Sequence, residues 1–197
     1  MLIQVTIQGL TPLIIDRFTN EMLEARTPGT TNKKTEPTPL EQARAKLYLY
    51  DDDETRPYLP AVYLFRSIID AGRFIKIGKR QLSTRDETIV PSFLSLVGID
   101  YPIRSAEGWR VDARGIVNQV TKARVMAYRP IFDDWEVDFK VNLDTSEGKV
   151  STARELIDRA GRAIGIGVMR PSRKGGYGQF KVIHWAVIEE ALQIAAE

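Results

Sequence analysis

Apolar and polar residues alternate strictly at the start of the chain. In residues 2–8, positions 3, 5 and 7 hold isoleucine or valine, and the positions between them are polar. Successive side chains of a strand point to opposite faces, so this pattern predicts a half-buried strand that ends at Gly9. Residues from about 20 to 39 hold many Thr, Pro, Lys and Asn residues and few apolar ones, which predicts a long mobile loop.

Residues 40–50 suit a short helix, and an exposed acidic turn follows. A longer helix is predicted from about Pro60, because proline is tolerated in the first helical turn. The face of this helix opposite its apolar stripe carries Arg66, Asp70 and Arg73. The apolar stripe of this helix consists of Leu64, Phe65, Ile68, Ile69 and Ile75.

The second half of the chain predicts three further elements. Residues 119–129 and 135–143 read as neighbouring antiparallel strands, with Pro130 ending the first. A helix should then begin at a capping box formed by Thr152 and Glu155. Gly165 is its natural stop. A last strand is predicted over residues 177–188.

Residues 78–118 are broken by prolines and glycines and are predicted to form an inserted β-rich or loop subdomain. Without them, the order is β-α-β-β-α-β, the ferredoxin-like or RNA-recognition-motif (RRM-like) arrangement of an α+β protein. Residues 1–197 therefore form one predicted domain, with four antiparallel strands and two helices on one face. Many functions occur on this fold, so the fold alone does not select one.

Composition excludes several classes of chemistry. The 197 residues include 28 Lys and Arg, 26 Asp and Glu, one His and no Cys. Disulfides, thiolate chemistry and metal sites built on several imidazoles are therefore excluded. The sequence has no stretch of 18 apolar residues and no signal-peptide pattern at its start, so we expect a cytoplasmic protein without a membrane partner.

The near-neutral total conceals segregated charge. Residues 159–188 contain six Lys and Arg residues and no acid, and residues 73–85 are basic in the same way. The acids are concentrated in residues 51–54 and 133–138. Segregated cations in glycine-containing segments suit a phosphate backbone, although a solvated basic surface gives the same pattern.

The segment of residues 164–180 carries the most information. It holds five glycines and three cations within seventeen residues, and it leads from a helix into a strand. Glycine allows close backbone approach, so N–H groups and cations of such a loop can meet on a phosphate. It matches neither a Walker loop nor a dinucleotide fingerprint. The alternative is a helix cap followed by a flexible entrance to the strand.

Other residues extend this candidate surface. Tyr177 stands between two glycines and is a candidate for base stacking, with packing under the loop as its alternative. Lys122 and Arg124 share a face of one predicted strand, and the arginines of the long helix share another face. Either pair can instead form ion pairs. The predicted nucleic-acid-binding residues are Arg170, Arg173, Lys174, Gly175, Gly176, Tyr177, Lys122, Arg124, Arg66 and Arg73.

Two segments resemble a known family. The run from Gly165 to Gly178 resembles the C-terminal glycine-rich loop of the RAMP superfamily, the CRISPR-associated proteins that form backbones and processing enzymes around guide RNA. Residues 58–66 are similar to the helix entry of those proteins, in which a proline precedes a small residue and an arginine follows. The whole chain, including residues 10–18 and 129–132, also resembles an uncharacterised group of phage and prophage proteins of about this length.

The resemblance implies a backbone-type subunit that coats a single-stranded nucleic acid by head-to-tail assembly. The loop of residues 20–39 would be a thumb-like element laid over the strand or over a neighbouring subunit. Some RAMP proteins cleave RNA with a histidine or with an aspartate near a metal. Here His184 lies within a predicted strand, Asp16 follows the first strand, and the consecutive acids of residues 51–54 cannot all point at one ion.

Three functions are therefore open. The preferred hypothesis is a non-enzymatic protein, without cofactor, metal or catalytic residue, that coats single-stranded DNA or RNA as a homo-oligomer or helical filament. Heterologous contacts between acidic and basic segments would build such a filament. The alternatives are a RAMP-type endoribonuclease and a structural subunit that binds only protein.

Overall fold

The computed structural model of the chain describes residues 1–18, 37–117 and 122–188. The loop predicted over residues 20–39 therefore lies almost entirely outside the described residues. In the three described ranges, no helix has the length and apolar character needed to cross a membrane.

The described residues form twelve strands and four helices. The strands are β1 (Leu2–Gly9), β2 (Leu13–Ile14), β3 (Leu49–Tyr50), β4 (Asp53–Pro60), β5 (Lys76–Ile77), β6 (Arg80–Gln81), β7 (Leu94–Val97), β8 (Asp100–Arg104), β9 (Arg110–Val117), β10 (Arg124–Phe132), β11 (Glu136–Leu143) and β12 (Phe180–Ile188). The helices are α1 (Pro39–Arg44), α2 (Ala61–Ala71), α3 (Val90–Phe93) and α4 (Val150–Arg159), and a π-helical turn (Ala160–Ile164) follows α4.

Seven strands form a central antiparallel sheet in the order β12, β1, β11, β8, β4 and β3, with β7 also paired to β11. Strands β7 and β8 lie one after the other along β11, so they occupy one position of the sheet. The order β12, β1, β11, β7 with helices α2 and α4 in contact is the ferredoxin-like arrangement. The predicted α+β fold class is confirmed.

The core lies between this sheet and its two long helices. Every second residue of β1 is fully buried, as the alternation predicts, and β11 contributes its own alternate positions. From the helices, Leu64 and Ile68 of α2 meet Leu156 and Ile157 of α4 in the same core. Burying each such side chain stabilises the fold by about 1.5–3 kcal/mol.

The predicted hairpin between residues 119–129 and 135–143 is wrong. Strand β10 pairs with β9 and β2 in a separate three-stranded sheet, whereas β11 pairs with β1, β7 and β8. An alternating pattern identifies the buried face of a strand but not its neighbour. The second strand of the ferredoxin-like order is β7, which lies in residues 78–118. That region also supplies β8 to the central sheet and β9 to the second sheet.

Pro130 does not end a strand, as the sequence suggested, but lies within β10 opposite Val111. Its carbonyl oxygen accepts a hydrogen bond from the Ile15 N–H at 3.1 Å, on the side of β2. The N–H that proline lacks would face the same side, where β2 has only two residues. The missing donor therefore costs little at this position.

Two helix boundaries also differ from the prediction. Helix α1 ends at Arg44, because the chain must then extend so that Leu49 can pair with Pro57 of β4. Helix α4 begins at Val150, which packs against the core, so the predicted capping box at Thr152 is absent. Tertiary packing decides both ends. The predicted stop at Gly165 is confirmed, and its φ is 72°.

Candidate nucleic-acid interface

The glycine-rich loop is fastened to the body of the protein by its own backbone. The N–H of Val168 donates to the Ile14 carbonyl at 3.0 Å, and the N–H of Gly178 donates to the Pro12 carbonyl at 2.8 Å. Within the loop, the N–H of Ile166 donates to the Gly178 carbonyl at 3.0 Å. These N–H groups are already used, so contact with a phosphate depends mainly on the side chains of the loop.

Gly175 and Gly176 differ although they are adjacent. A Cβ atom on Gly175 would collide with the carbonyl oxygen of Met169, so close packing of the backbone requires glycine there. A Cβ atom on Gly176 would meet nothing within 4 Å, and Gly176 is exposed. Of the two, Gly176 is the position at which a ligand can approach the backbone closely.

Four arginines from two separate segments come together beside this loop. Arg66 of α2 lies 3.8 Å from the carboxylate of Asp70, and Arg73, in the 3-10 turn (Gly72–Phe74) that follows α2, lies 3.3 Å from it. Arg170 of the loop lies within electrostatic range of Arg173, Asp70 and Arg66. We call Arg66, Arg73, Arg170 and Arg173 the arginine cluster. The structure thus joins two of the basic groups that the sequence suggested separately.

A buried hydrogen bond holds α2 against the loop. The hydroxyl of Ser67 donates to the carbonyl of Gly165 at 2.9 Å, and Ser67 is 3% exposed. A buried hydroxyl without a partner would destabilise the fold, so this bond fixes the relative position of the two segments. Together with the packing of α2 on the π-helical turn, it places Arg66 next to the arginines of the loop.

Two hydrogen bonds hold the side chain of Arg170 against the loop. Its Nη1 donates to the Gly167 carbonyl at 2.9 Å and its Nε donates to the hydroxyl of Ser172 at 3.0 Å. Burial lowers the pKa of the Arg170 guanidinium, and the charges of Arg173 and Arg66 lower it further. The positive charges of Arg173 and Arg66 beside it favour an anion such as a phosphate, and the carboxylate of Asp70 opposes it.

The next residues of the loop face solvent. Arg173 ends a short 3-10 turn, and Lys174 follows it in a left-handed conformation with φ 61°. Both side chains are exposed. They are available to a ligand without any rearrangement of the backbone.

Tyr177 is half-buried and is held by a neighbour from β9. The guanidinium of Arg114 lies over its ring, 4.7 Å from the ring centroid, and also donates to its hydroxyl. Arg114 is in turn held by the buried carboxylate of Asp112 at 2.8 Å. One face of the Tyr177 ring is therefore covered by a cation, and its role in stacking stays a prediction.

Lys122 and Arg124 do not share a strand face. Lys122 precedes β10 and has a left-handed backbone with φ 58°, whereas Arg124 begins β10 opposite Val117. Both are exposed at the end of the β9–β10 pair. The prediction of a common strand face is wrong because the strand begins later than its apolar pattern indicates.

The sequence analysis missed a group of four tyrosines. Tyr48 and Tyr50 flank Leu49 at β3, Tyr58 lies in β4, and Tyr63 lies in the first turn of α2. We call these four residues the tyrosine cluster. The alternation of Tyr48 and Tyr50 was a signal for a shared strand face, but the other two rings join them only through the fold.

A small cavity connects the tyrosine cluster with the glycine-rich loop. Its volume is about 100 Å³. Tyr48 and Tyr63 of the cluster line it together with Gly167, Val168 and Arg170 of the loop. The other lining residues are Ile15, Asp16 and Leu59. Rings from one region and a cation from the other therefore face the same space.

The residues considered for catalysis lie in stable ionic or exposed positions. The carboxylate of Asp16 is 2.7 Å from the Arg129 guanidinium and 3.5 Å from the Lys46 ammonium group. His184 is exposed on β12 opposite Thr6. In the ranges that the structure describes, no three His, Asp or Glu side chains converge as a metal site.

The sheet face opposite α2 and α4 has a different character. We call the part of it on β12, β1 and β11 the polar face. It is formed by Leu2, Gln4, Thr6, Gln8, Glu136, Asp138, Lys140, Asn142, Lys181, His184, Ala186 and Ile188. All residues of these three strands are described, and none on this face is Phe, Tyr or Trp. An RRM-type platform of stacking aromatic rings is therefore absent from the polar face.

Comparison with known proteins supports the fold. No family model and no curated protein sequence matches the chain. Its fold is similar to that of a chain in the type III-B Cmr-beta complex bound to cognate target RNA, with a TM-score of 0.56 and 12% sequence identity. The match covers 95% of this chain and 60% of that one, so this chain spans about 60% of the length of its structural neighbour. The likeness supports the ferredoxin-like α+β fold expected from the sequence.

Proposed function

We propose that this chain binds single-stranded nucleic acid, with RNA as the preferred ligand, and that the arginine cluster and Lys174 contact the phosphates. The observation that carries the proposal is the convergence of Arg66, Arg170 and Arg173 from two segments at one surface. The preference for RNA is supported by the similar fold of a chain from a complex that is bound to target RNA.

The chemistry of the surface suits a phosphate backbone rather than particular bases. Guanidinium groups form strong paired hydrogen bonds with phosphate oxygens. Such contacts position a strand without reading its sequence. We therefore expect binding that is strongly salt-dependent and nearly independent of sequence.

Fluorescence anisotropy with labelled single-stranded RNA, single-stranded DNA and duplex at several salt concentrations tests the proposal. We expect tight binding to single-stranded RNA, with the logarithm of affinity falling linearly as the logarithm of salt concentration rises. Replacing Arg173 and Lys174 by alanine should reduce that slope by about 1.4, since each phosphate contact on a single strand contributes about 0.7. Lys140→Ala on the polar face is the matched control. Absence of binding at low salt would overturn the proposal.

Assembly along the strand is the second part of the proposed function. It is supported by the segregation of acids in residues 51–54 and 133–138 from the basic loop, because unlike surfaces can meet head to tail. Light scattering with and without oligonucleotide tests this part. Species that grow with strand length are expected, and a monodisperse monomer under both conditions would contradict it.

In the proposed function, the chain binds single-stranded nucleic acid without cleaving it. This is supported by the ion pairs of Asp16 with Arg129 and Lys46, which leave its carboxylate little freedom to act as a base. Incubation with labelled RNA, with and without Mg²⁺, should leave the RNA intact. Cleavage that is lost in His184→Ala or Asp16→Ala would instead establish the endoribonuclease alternative.

A role in protein assembly alone makes a different prediction. Reversing the charges of Arg170, Arg173 and Lys174 would then alter the oligomeric state, and no oligonucleotide would bind to any form of the protein. The phage or prophage origin suggested by the sequence resemblance belongs to the proposal as well. Phage structural or replication genes beside the coding sequence would support that origin.

A further inference from the structure

The tyrosine cluster concentrates aromatic surface in one place. It contains four of the seven tyrosines of the chain. The Tyr58 N–H donates to the Tyr48 carbonyl at 2.9 Å, which brings the rings of β4 and of the segment before it to the same side. Ring centroids are 5.6 Å apart for Tyr48 and Tyr58, and 4.8 Å apart for Tyr50 and Tyr58.

Tyr63 of the cluster is exposed, Tyr48, Tyr50 and Tyr58 are half-buried, and Tyr101 is a tyrosine of the core. Tyr101 is 5% exposed, and its hydroxyl donates to the Val97 carbonyl at 3.0 Å, so packing and one hydrogen bond account for it. Tyr63 is 45% exposed, and its hydroxyl is hydrogen-bonded to that of Tyr48 at 2.6 Å. Tyr48 also packs against the core, so packing accounts for part of the cluster but not for the exposed ring of Tyr63.

Two exposed cations lie over the rings. The guanidinium of Arg56 is 4.3 Å from the centroid of Tyr50, and that of Arg17 is 5.6 Å from the centroid of Tyr48. Rings interleaved with cations are the composition of surfaces that bind single strands, because bases stack on the rings while the cations meet the phosphates. An exposed cation–π contact is weaker than a stacked base, so a base can displace the guanidinium from the ring.

The cluster is continuous with the proposed phosphate site. Tyr48 and Tyr63 line the same cavity as Gly167 and Arg170 of the glycine-rich loop. Asp16 also lines this cavity, and its carboxylate is paired with Arg129 and Lys46. A strand held by the arginine cluster can therefore reach the rings past a neutralised carboxylate.

We propose that the tyrosine cluster is a base-stacking surface for the single strand whose phosphates the arginine cluster contacts. This inference rests on the proposed function. It adds the surface on which the bases bind and the stacking contact that holds them there. Stacking needs only the π-face that every base has, so the surface should accept all four bases.

The test combines tyrosine variants with strands that lack bases. By anisotropy, Tyr63→Ala should weaken binding of single-stranded RNA about five- to 150-fold without changing the salt slope, because a stacked base and no charge is lost. Tyr63→Phe, which keeps the ring, should retain most of the affinity. Tyr128→Ala in β10, a half-buried tyrosine outside the cluster, is the control.

An abasic strand of equal length should bind the wild-type protein more weakly than RNA and should bind Tyr63→Ala with the same affinity as the wild type. The abasic comparison on the wild type needs no variant, so a folding defect cannot obscure it. Equal binding of RNA by the wild type and Tyr63→Ala, with the salt slope intact, would overturn the stacking surface and leave the proposed function standing. Failure of the wild type to bind any strand would overturn the proposed function itself.

Discussion

The polar face and the arginine cluster differ in how charge is balanced. On the polar face, Glu136 and Asp138 both pair with Arg104, and Thr6 also donates to Asp138 at 2.7 Å. In the arginine cluster, Arg66 and Arg73 share the carboxylate of Asp70 while further guanidinium groups lie nearby. Both surfaces contain many charged residues, but only the second has unbalanced positive charge. Local balance, not net charge, separates a structural surface from a candidate binding surface.

The polar face and the surface around the arginine cluster also differ in their aromatic side chains. The polar face has no Phe, Tyr or Trp in its fully described strands, whereas the tyrosine cluster adjoins the arginine cluster through a shared cavity. The open sheet face is the surface that an RRM-like protein uses for RNA. In this chain, the residues suited to a single strand lie on α2, the loop and the β3–β4 pair instead.

Charge reversal in the arginine cluster should have the largest effect. Combined Arg66→Glu, Arg173→Glu and Lys174→Glu should weaken binding of single-stranded RNA at least about 100-fold at low salt and lower the salt slope by about 2. Lys140→Glu, the same change on the polar face, should change affinity less than about twofold. Anisotropy titrations measure both quantities. Similar losses in the two variants would remove the distinction between the surfaces.

Variants of the two adjacent glycines distinguish an effect on folding from an effect on binding. Gly175→Ala should destabilise the protein by about 2 kcal/mol, because its Cβ would collide with the Met169 carbonyl. Gly176→Ala should leave stability within about 0.5 kcal/mol, since its Cβ points into open space. Chemical denaturation measures both. If Gly176→Ala nevertheless weakens RNA binding, the backbone at that position is part of the interface.

Removing the carboxylate of Asp70 should strengthen binding and weaken the fold. Asp70→Asn leaves the neighbouring arginines with more unbalanced charge, so affinity for single-stranded RNA should rise about fivefold, which corresponds to about 1 kcal/mol. Stability should fall by about 1 kcal/mol, because two ion pairs are lost. Unchanged affinity would mean that the strand does not pass near α2.

Acidification should give the smallest effect, at Asp134 in the turn between β10 and β11. The Ala106 N–H donates to the Asp134 carboxylate at 2.8 Å and lowers its pKa, and the Ser105 hydroxyl also bonds to it. A lowered pKa stabilises the fold above about pH 4, and this contribution is lost as pH falls through the folded-state pKa. The Tm difference between wild type and Asp134→Asn, measured from pH 6 downwards, should therefore close below about pH 4. A Tm difference that widens below about pH 4 would contradict the lowered pKa of Asp134.

The sequence predicted the fold class, β1, α2 and the end, at Gly165, of the helical segment that α4 and its π-helical turn form, because local patterns determine them. It did not predict the partner of β11, since alternation at residues 135–143 specifies a buried face and no neighbour. The sequence identified the cations of the candidate site but did not predict that they lie close together. Their proximity depends on tertiary contacts such as the hydrogen bond between residues 67 and 165. The tyrosine cluster has no sequence motif, because its rings come from two strands and a helix.

The buried bond from Ser67 to Gly165 also makes α2 and the glycine-rich loop one cooperative unit. Local opening that frees the loop must break this bond and expose a polar group, so opening of the loop costs part of the free energy that holds α2 in place. A ligand bound to the loop alone would therefore slow amide hydrogen exchange in α2 as well. The protected segment would extend beyond the residues that touch the ligand.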